Sequence, residues 1–328
     1  MARALVLGAT GHIGAHIVRA LLAEGHHVRA AYRRESFLHV LGDLPVERLC
    51  VDLATCRGLS DALRDCDWVF HAAGYYPGLR ERREPAITQG VESTARILEA
   101  CARARPSRIV FTSSASTIQR LADRPATEAD AEPWPLTAWR PLYATVKIAM
   151  EQEALRAARG GLPVVITNPS VCVGEYDAHP FSGRLILAFA KYQVPFYLDR
   201  DISAIYTGDV GVGHVRAAQR GRLGERYLLT HRDLSLRAFA TSVARAAGTR
   251  PPRWRLPHRV VLAAAWLSER VAGITRTEPF LPMEVVRAAR IGQRLDGTKA
   301  VTELGLPQTP IEEAIERAVR WFKDHGYL

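Results

Sequence analysis

Long apolar runs are scarce in this chain of 328 residues. The longest one extends from Val260 to Leu267, far below the roughly 18 apolar residues that a membrane-spanning helix needs. The first residues, Met1 to Gly8, contain too short an apolar stretch for a secretion signal. We therefore predict neither a transmembrane segment nor an export signal, and we expect a cytoplasmic protein.

Cysteine is also sparse, and its spacing carries no motif. The chain has five cysteines, an odd number, and no two of them form a Cys-x-x-Cys pair. A disulfide framework and a thiolate zinc site both need paired spacings that are missing here. We predict reduced cysteines in the core and no metal site.

Lysine is rare, although the chain is basic overall. The formal net charge is +10, and only four of the 44 basic residues are lysines. The arginines are scattered and do not interleave with aromatic residues as on nucleic-acid-binding surfaces. We predict a small-molecule substrate and no nucleic-acid partner. Because 48% of the residues are hydrophobic and 24% are charged, the composition excludes global disorder and a collagen-like repeat.

Apolar segments of strand length and helix length alternate along the first half of the chain. The run at 3–7 is followed by helical spacing of Ile13, Ile17 and Leu21 and then by an extended segment at 28–32. The same alternation predicts strands at 49–53, 68–73, 108–112 and 164–167 and helices at 59–63, 91–104 and 142–159. Strands that alternate with helices predict an α/β fold with a doubly wound parallel sheet.

Beyond residue 170 this rhythm becomes irregular. Segments rich in proline, glycine and aromatic residues between 171 and 206 precede predicted helices near 209–220, 235–247, 259–271 and 309–325. We predict a nucleotide-binding core over 1–170, to which residues 205–232 return. Residues 171–204 and 233–328 are then a smaller C-terminal substrate-binding lobe.

Three glycines, Gly8, Gly11 and Gly14, lie between the first predicted strand and the first predicted helix. Glycine at these positions lets backbone N–H groups and the helix N-terminus approach a pyrophosphate, because any Cβ would block the approach. The motif predicts a dinucleotide cofactor. The alternative is a tight turn that only packs the helix closely on the strand.

The end of the second predicted strand bears on the choice of cofactor. Domains that prefer NAD place an acidic residue there for the ribose hydroxyls, whereas an arginine accommodates a 2′-phosphate. Here the strand ends in Tyr32, Arg33 and Arg34, and Glu35 comes too late. We predict NADP, with NAD as the alternative if the arginines are only solvated loop charges. Asp52 and Leu53, at the end of the third predicted strand, are placed for the adenine edge.

Tyr143 and Lys147 are four residues apart in a predicted helix, which places the phenol and the ammonium on one face. A phenol with a pKa of about 10 is a poor proton donor or acceptor at neutral pH, and a nearby ammonium lowers that pKa. Ser113 and Ser114, at the end of the preceding strand, supply hydroxyls for a substrate oxygen. Each residue alone fits a structural role, but together they predict hydride transfer to or from a carbonyl.

These motifs, taken in order, resemble those of the extended short-chain dehydrogenase/reductase family, within the NAD-dependent epimerase/dehydratase superfamily. They are GATGHIG at 8–14, VDL at 51–53, HAAG at 71–74, FTSS at 111–114, YATVK at 143–147 and NPSVCVG at 168–174. The resemblance covers nearly the whole chain. It is nearest to dihydroflavonol-4-reductase-like proteins, 3β-hydroxysteroid dehydrogenase-like proteins and hopanoid-associated sugar epimerases. It implies a Rossmann fold and a nicotinamide cofactor.

The resemblance also implies roles for individual residues. Tyr143 would be the general acid/base, Lys147 would lower its pKa and hold the nicotinamide ribose, and Ser114 would polarise the substrate oxygen, with Ser113 as the alternative. The implied cofactor-binding residues, in addition to Arg33, Arg34, Asp52, Leu53 and Lys147, are Gly8, Thr10, Gly11, His12, Ile13, Gly14, Ala72, Ala73, Gly74, Pro169 and Ser170. The chain departs from the family at Gly90, where many relatives have an asparagine that positions a proton-relay water.

Aromatic residues are concentrated in the loop after HAAG and in the C-terminal lobe. If they line the cleft, they favour a bulky, apolar substrate such as a steroid, triterpenoid or polyphenol over a sugar nucleotide. The alternative is ordinary lobe core. Ser113, Tyr75 and Tyr206 are the candidate pocket residues. The predicted helix at 259–267 is a candidate for peripheral contact with a membrane surface.

Three functions compete at this point. The first is an NADP-dependent reductase or alcohol dehydrogenase that acts on a bulky carbonyl or secondary alcohol. The second is a nucleotide-sugar epimerase or dehydratase with tightly held NAD. The third, a non-catalytic NADP-sensing protein, is disfavoured because the Tyr143 and Lys147 pair is retained. We expect a monomer or a homodimer.

Overall fold

The protein has an α/β fold, as seen in a computed structural model. The structure describes residues 1–78, 81–131, 140–275, 277, 279, 281, 283–288 and 292–328. The strands are β1 (Arg3–Leu7), β2 (His27–Tyr32), β3 (Glu47–Cys50), β4 (Trp68–His71), β5 (Arg108–Thr112), β6 (Val164–Pro169), β7 (Val171–Val173), β8 (Phe196–Tyr197), β9 (Asp201–Tyr206), β10 (Arg226–Leu229), β11 (Arg232–Ser235) and β12 (Trp254–Arg255). The helices are α1 (His12–Ala23), α2 (Leu59–Leu63), α3 (Arg83–Ala104), α4 (Leu142–Arg159), α5 (Gly183–Ala190), α6 (Thr207–Arg220), α7 (Leu236–Ala247), α8 (His258–Thr275), α9 (Met283–Ala288) and α10 (Ile311–Asp324).

Seven of the described strands form one parallel sheet in the order β3-β2-β1-β4-β5-β6-β10. The chain starts in the middle of the sheet, moves outward to β3 and then crosses back to β4. The winding direction therefore reverses between β1 and β4. In sheets of this kind, ligands bind outside the carboxyl ends of the strands beside the reversal. The predicted doubly wound parallel sheet is confirmed, and the crevice between β1 and β4 is the place for the site.

Helices cover both faces of this sheet. On one face α1 and α6 pack together, and Ile17, Leu21 and Val215 lie in their shared apolar core. On the other face α3 and α4 pack against the sheet around Val146. Helix α1 ends before Gly25, whose φ of +76° lies in the left-handed region that favours glycine. The two layers hold the N-terminus of α1 directly beside the crevice.

A smaller sheet in the order β11-β9-β7 packs with α5, α7 and α10 around a second apolar core. Phe189, Phe239 and Phe322 from those three helices are buried there. The short strands β8 and β12 form a separate ribbon. These elements correspond to most of the predicted C-terminal lobe, whose exact boundaries stay a prediction. Within the part of the chain that the structure describes, no helix has the length and apolar character needed to cross a bilayer.

The structure corrects the sequence prediction in two regions, the start of helix α3 and the segment 171–206. Helix α3 begins at Arg83 rather than at Val91, because its first two turns are mostly polar and show no apolar period. Pro85 is tolerated there because the first turn of a helix has no intrahelical partner for its backbone nitrogen. The segment 171–206, predicted to be irregular, contains β7, α5, β8 and β9.

Candidate active site

The turn between β1 and α1 is closed by glycines at the crevice. Gly8 has a φ of +82°, and a Cβ on it would lie 2.9 Å from the backbone nitrogen of Ala73. A Cβ on Gly14 would lie 2.1 Å from the carbonyl oxygen of Gly8. The same turn holds Thr10, Gly11, His12 and Ile13. Because only glycine permits this close backbone packing, the first turn of α1 lies open to a pyrophosphate at its N-terminus.

The ring of His12 contacts a segment that follows β7. Its Nδ1 lies 3.7 Å from a carboxylate oxygen of Asp177, which also accepts a hydrogen bond of 3.0 Å from the backbone nitrogen of Gly183. Burial lowers the pKa of His12, and the carboxylate of Asp177 opposes this effect. The side chain of His12 is therefore engaged with Asp177, which leaves its backbone for the predicted cofactor contact.

Beyond β4, residues 72–74 pass close to Lys147. A Cβ on Gly74 would lie 2.6 Å from Nζ of Lys147. Pro169 ends β6 and Ser170 follows it. The Oγ of Ser170 is buried and has no hydrogen-bond partner among the residues that the structure describes. Two features fit a dinucleotide that lies across the crevice from α1 to β6. The first is the backbone at Gly74, which leaves no room for a Cβ, and the second is the hydroxyl of Ser170.

Arg33 and Arg34 follow β2, the strand next to β1 in the sheet. Both are exposed. Their position at the carboxyl end of β2 is the one expected for residues that contact the adenosine ribose. They are therefore free to contribute positive charge at that end of the crevice.

The prediction that Asp52 and Leu53 end the third strand is wrong, because β3 ends at Cys50. Asp52 lies in the turn that follows, where its carboxylate accepts hydrogen bonds from Oγ1 of Thr55 at 2.8 Å and the backbone nitrogen of Ala54 at 3.0 Å. The hydrogen bond from Thr55 has the largest effect on the pKa of Asp52, which it lowers, and the bond from Ala54 lowers that pKa further. Leu53 packs partly against the core beside α3. An adenine contact by this turn stays a prediction.

Ser114, Tyr143 and Lys147 come together at the carboxyl end of β5. The hydroxyl of Ser114 lies beside the phenol of Tyr143, where it lowers the pKa of Tyr143 by stabilising the phenolate. Lys147 lies one turn further along α4, is 2% exposed, and has its Nζ 3.4 Å from the carbonyl oxygen of Thr112. The i, i+4 spacing read from the sequence thus places a phenol and a buried ammonium beside the same strand end.

Burial dominates the electrostatics of these groups. It raises the pKa of Tyr143, while the hydrogen bonds from Ser114 and Tyr76 oppose the rise by stabilising the phenolate. Burial also lowers the pKa of Lys147 to about 8, and the nearby carboxylate of Glu151 opposes that change. At neutral pH the phenol is therefore protonated, and the lysine is still predominantly charged.

Two aromatic side chains that the sequence analysis did not assign to the site lie over Tyr143. The ring of Tyr76 is stacked on that of Tyr143, and Nζ of Lys147 is 5.5 Å from the centre of the Tyr76 ring. The ring centre of Phe181 is 5.2 Å from that of Tyr76 and 5.4 Å from that of Tyr143. Tyr76 is 51% exposed and Phe181 is 58% exposed. An aromatic surface therefore faces solvent directly beside the proposed acid/base.

The two tyrosines that were predicted for the pocket, Tyr75 and Tyr206, are engaged with charged groups. The hydroxyl of Tyr75 donates a hydrogen bond to the carboxylate of Glu81. Tyr206 is buried, donates to Glu175 at 2.7 Å and accepts from Arg317 at 3.0 Å. Of the tyrosines in these segments, Tyr76 is the one that the structure brings to Tyr143. A substrate contact by Tyr75 or Tyr206 stays a prediction.

Ser113 faces a buried carboxylate, which the sequence analysis also missed. Glu151, 2% exposed, accepts hydrogen bonds from Oγ of Ser113, from Nδ2 of Asn168 at 2.7 Å and from Oγ1 of Thr117 at 3.1 Å. It also pairs with Nε of Arg226 at 2.5 Å. This carboxylate joins α4 to β5, β6 and β10, so it fixes the strand end that carries Ser114. Its place four residues after Lys147, on the same helix face, was the available sequence signal.

Gly90 lies where α3 packs on α4. A Cβ there would lie 2.9 Å from Cγ1 of Val146 and 3.3 Å from Cγ of Met150. Its carbonyl oxygen accepts a hydrogen bond of 2.8 Å from Oγ1 of Thr94. The departure from the family asparagine therefore coincides with a helix contact that leaves no room for a side chain.

Comparison with known proteins identifies the family. Residues 4–228 match the model of the NAD dependent epimerase/dehydratase family. The chain belongs to this family. The family is described as NAD dependent, which agrees with the nicotinamide cofactor predicted from the glycine turn.

Similar proteins cover the whole chain. A putative dihydroflavonol 4-reductase from Synechocystis is 35% identical over 98% of this chain and 95% of its own length. Sterol demethylase protein B from Methylococcus capsulatus is 32% identical over 99% of each chain. A solved nucleoside-diphosphate-sugar epimerase from Pseudomonas aeruginosa is 30% identical over 100% of this chain and 99% of its own, with a TM-score of 0.81. The predicted family and fold are confirmed, as is the prediction that the family binds a nicotinamide cofactor. The similar proteins include both a reductase and an epimerase.

Proposed function

We propose that this protein is an NADP-dependent oxidoreductase that transfers hydride between nicotinamide and a carbonyl or secondary alcohol of a bulky, largely apolar substrate, with Tyr143 as the general acid/base. The observation that carries the proposal is the position of Tyr143 on α4, one helical turn before the buried ammonium of Lys147 and beside Ser114 at the end of β5. A bound nicotinamide supplies or accepts the hydride. The side chains described above supply the proton and hold the substrate oxygen.

In the direction of reduction, Tyr143 would give its proton to the substrate oxygen. Because burial raises the pKa of Tyr143, the phenol is protonated and ready to donate at neutral pH. Ser114 would then donate its own hydrogen bond to the same oxygen and hold it beside the phenol. Both side chains are fixed before substrate binds, Tyr143 by α4 and Ser114 by the end of β5.

In the direction of alcohol oxidation, Tyr143 must first become a phenolate. Ser114 and Tyr76 favour that state by hydrogen bonding to the phenol oxygen. We propose that the positive charge of Lys147, one helical turn further along α4, adds to this effect. Lys147 can act in this way because its pKa of about 8 leaves it predominantly protonated at neutral pH. The carboxylate of Glu151 supports the charge on Lys147 from the opposite side.

The substrate class is inferred from the exposed aromatic surface. Tyr76 and Phe181 are more than half exposed and contact Tyr143. An apolar ring system placed on them would shield apolar area from water and hold its oxygen near Tyr143. The similarity to a putative dihydroflavonol 4-reductase and to sterol demethylase protein B supports a polycyclic substrate.

The choice of NADP is inferred from Arg33 and Arg34. Both are exposed at the carboxyl end of β2, where a 2′-phosphate of the adenosine ribose would lie. A guanidinium can bind a phosphate through two parallel hydrogen bonds. No carboxylate follows β2 before Glu35.

The first experiment identifies the cofactor without any assumption about the substrate. Freshly purified protein is denatured, any released dinucleotide is identified by mass spectrometry, and emptied protein is titrated with NADPH and NADH by fluorescence. An empty site that prefers NADPH supports a reductase, and a panel of bulky ketones is then tested for NADPH oxidation. Stoichiometric NAD carried through purification contradicts the proposed reductase.

The second candidate is a nucleotide-sugar epimerase or dehydratase with tightly held NAD. It is favoured by the similarity, over the full length of the chain, to the nucleoside-diphosphate-sugar epimerase from Pseudomonas aeruginosa. In that reaction Tyr143 would alternately accept and return a proton on one substrate while the cofactor stays bound. Conversion of a nucleotide sugar without net change in dinucleotide absorbance would support this candidate against the first.

A further inference from the structure

One face of α8 is apolar and exposed to solvent. Val260 is 51% exposed, Leu267 57%, Val271 50% and Ile274 83%. These residues are seven, four and three positions apart, a spacing that places all four on one stripe of a helix. Exposed apolar side chains that form a continuous stripe mark an interaction surface, whereas single ones do not.

The opposite side of α8 already has its partners within the protein. Val261 and Ala265 are buried in a small apolar cluster together with Leu198, which follows β8, and Leu256, which follows β12. The outward stripe is therefore additional to the face that attaches the helix to the fold. A helix that is apolar on both sides and still lies at the surface needs a second apolar partner.

The charge around this stripe is strongly one-sided. Between residues 250 and 275 the only acidic residue is Glu269, and its carboxylate accepts a hydrogen bond of 2.8 Å from the backbone nitrogen of Met283. The same segment contains five exposed arginines, Arg250, Arg253, Arg255, Arg259 and Arg270. Arg255 is paired with Asp199 at 3.1 Å, so the other four carry the excess positive charge. A partner for this surface must combine apolar material with negative charge.

Two exposed tryptophans accompany the arginines. Trp266, on α8, lies with its ring centre 5.2 Å from the guanidinium carbon of Arg270. Trp254, on the ribbon that precedes α8, is 58% exposed and lies 5.7 Å from the ring of Phe196. Tryptophan and arginine beside an apolar helical stripe are typical of helices that lie in the interfacial layer of a membrane.

We propose that α8 and the adjoining β8–β12 ribbon dock this protein onto the surface of an anionic lipid bilayer. The apolar stripe of α8 would enter the boundary between headgroups and acyl chains, and the arginines would contact the lipid phosphates. The helix would lie in the plane of the membrane, because its 18 residues form a rod of about 27 Å with arginines at its rim.

A second copy of this chain fits the surface less well. In a symmetric contact the same patch meets itself, so five arginines from each copy would come together with only two acidic side chains, Asp199 and Glu269. Like charges at an interface oppose association, whereas anionic lipid headgroups attract the arginines that have no acidic partner on this surface. This inference concerns the surface of α8 and does not depend on the reaction proposed above.

The test uses the full-length protein and vesicle flotation. Vesicles of phosphatidylcholine alone are compared with vesicles that also contain phosphatidylglycerol, at low and at high salt. We expect the protein to float with the anionic vesicles and to be released as salt rises, because the arginine contacts are screened. The variant L267E should reduce partitioning about tenfold, since an apolar side chain is replaced by a charge that the lipid repels.

A matched control separates this effect from a general loss of solubility. Leu223 is 52% exposed in the turn before β10, far from α8 in the sequence, so L223E should bind vesicles as the wild type does. R259E and R270E should each weaken binding to anionic vesicles by about fivefold, whereas R103E, on α3, should not. Circular dichroism melting curves check that all variants fold.

Three results would overturn the proposal. The first is wild-type protein that stays with the unbound fraction for every vesicle composition. The second is L267E that floats as well as L223E. The third is a wild type that is a dimer by light scattering and an L267E variant that is a monomer, with no binding of either protein to vesicles. That result would show that the stripe mediates self-association.

Discussion

The ring of Tyr76 is stacked on the ring of Tyr143, with the ring centres 5.5 Å apart and the planes at 19° to each other. The Tyr76 hydroxyl is hydrogen-bonded to Tyr143. The charge of an ionised Tyr143 raises the pKa of Tyr76 well above its ordinary value. Tyr76 therefore keeps its proton and acts as a donor to the phenol that we propose as the acid/base.

Two substitutions of Tyr76 separate its ring from its hydroxyl. Tyr76→Phe keeps the stacked ring but removes a hydrogen bond that stabilises the Tyr143 phenolate, so the pKa of Tyr143 should rise. In alcohol oxidation, the rising limb of kcat/KM should then move to higher pH. Tyr76→Ala removes the ring as well, and KM for a polycyclic substrate should increase by about threefold to tenfold. Unchanged KM in Tyr76→Ala would contradict a substrate-binding role of the ring.

Substitution of Tyr143 tests the proposed chemistry directly. Tyr143→Phe should lower kcat by about 10²- to 10⁴-fold, the range typical of a lost general acid/base. Cofactor affinity, measured by fluorescence titration, should stay close to that of the wild type. Tyr192→Phe, at a tyrosine that is 62% exposed, is the matched control and should retain full activity. Wild-type activity in Tyr143→Phe would exclude both the reductase and the epimerase mechanisms.

Cofactor preference should depend on the two arginines after β2. In the double variant Arg33→Ala, Arg34→Ala we expect the Kd for NADPH to rise about tenfold or more, because a charge-assisted contact to phosphate contributes roughly 1.5–3 kcal/mol. The Kd for NADH should change little. Arg64→Ala, at another exposed arginine, serves as control. Equal losses for both dinucleotides would mean that the arginines do not read the 2′-phosphate.

The stability of the protein should depend on pH through Lys147. Its pKa in the folded protein is about 8, below the ordinary 10.5, so between these values the unfolded chain binds more protons than the folded one. The contribution of Lys147 to the free energy of unfolding therefore rises between pH 8 and pH 10.5, by about 3 kcal/mol at most. This contribution is lowest below pH 8. Lys147→Met should lack this rise.

Urea unfolding of wild type and Lys147→Met at a series of pH values measures the effect as a difference. Burial raises the pKa of the Cys101 and Cys172 thiols to about 12, so their contribution to stability falls as pH rises. Both proteins contain these thiols, and subtracting one stability curve from the other removes their contribution. Parallel stability curves from pH 8 to 10.5 would contradict the predicted pKa of Lys147.

Glu151 should be important for stability in addition to its effect on the charge of Lys147. Glu151→Gln leaves the guanidinium of Arg226 partly buried without its carboxylate, and the cost should be about 3–5 kcal/mol. The control is Glu92→Gln, which breaks the exposed pair of Glu92 and Arg96 at 3.6 Å on α3 and should cost less than about 1 kcal/mol. Similar unfolding free energies for both variants would contradict a special role for the buried carboxylate.

Local periodicity was sufficient to predict most of the main sheet and its helices. Helix α4 has the predicted bounds, 142–159, because the segment is rich in residues that favour helices, Pro141 precedes it and Gly160 follows it. Helix α3 was predicted eight residues too short, since its polar first turns carry no periodic signal. Strands β7 and β9 were missed because they are short or buried on both sides and therefore lack the alternation that marks a half-exposed strand.

The candidate site was predictable only where its residues are close in sequence. Tyr143 and Lys147 share one helix, and the three glycines share one turn, so spacing alone places them together. Tyr76 reaches Tyr143 through the conformation of a loop, which residue type does not encode. Arg226 meets Glu151 across 75 residues of sequence, and that contact follows from the position of β10 beside β6 in the sheet.

The close approach of Gly90 to Val146 and Met150 restricts the evolutionary paths open to this chain. An asparagine at position 90 would require Val146 and Met150 to shift or to be replaced by smaller residues, so this substitution alone should lower stability. Conversely, once α3 and α4 are this close, glycine is retained for packing alone. The residue found at this position in related sequences therefore reports how far apart the two helices are, and it should be compared together with positions 146 and 150.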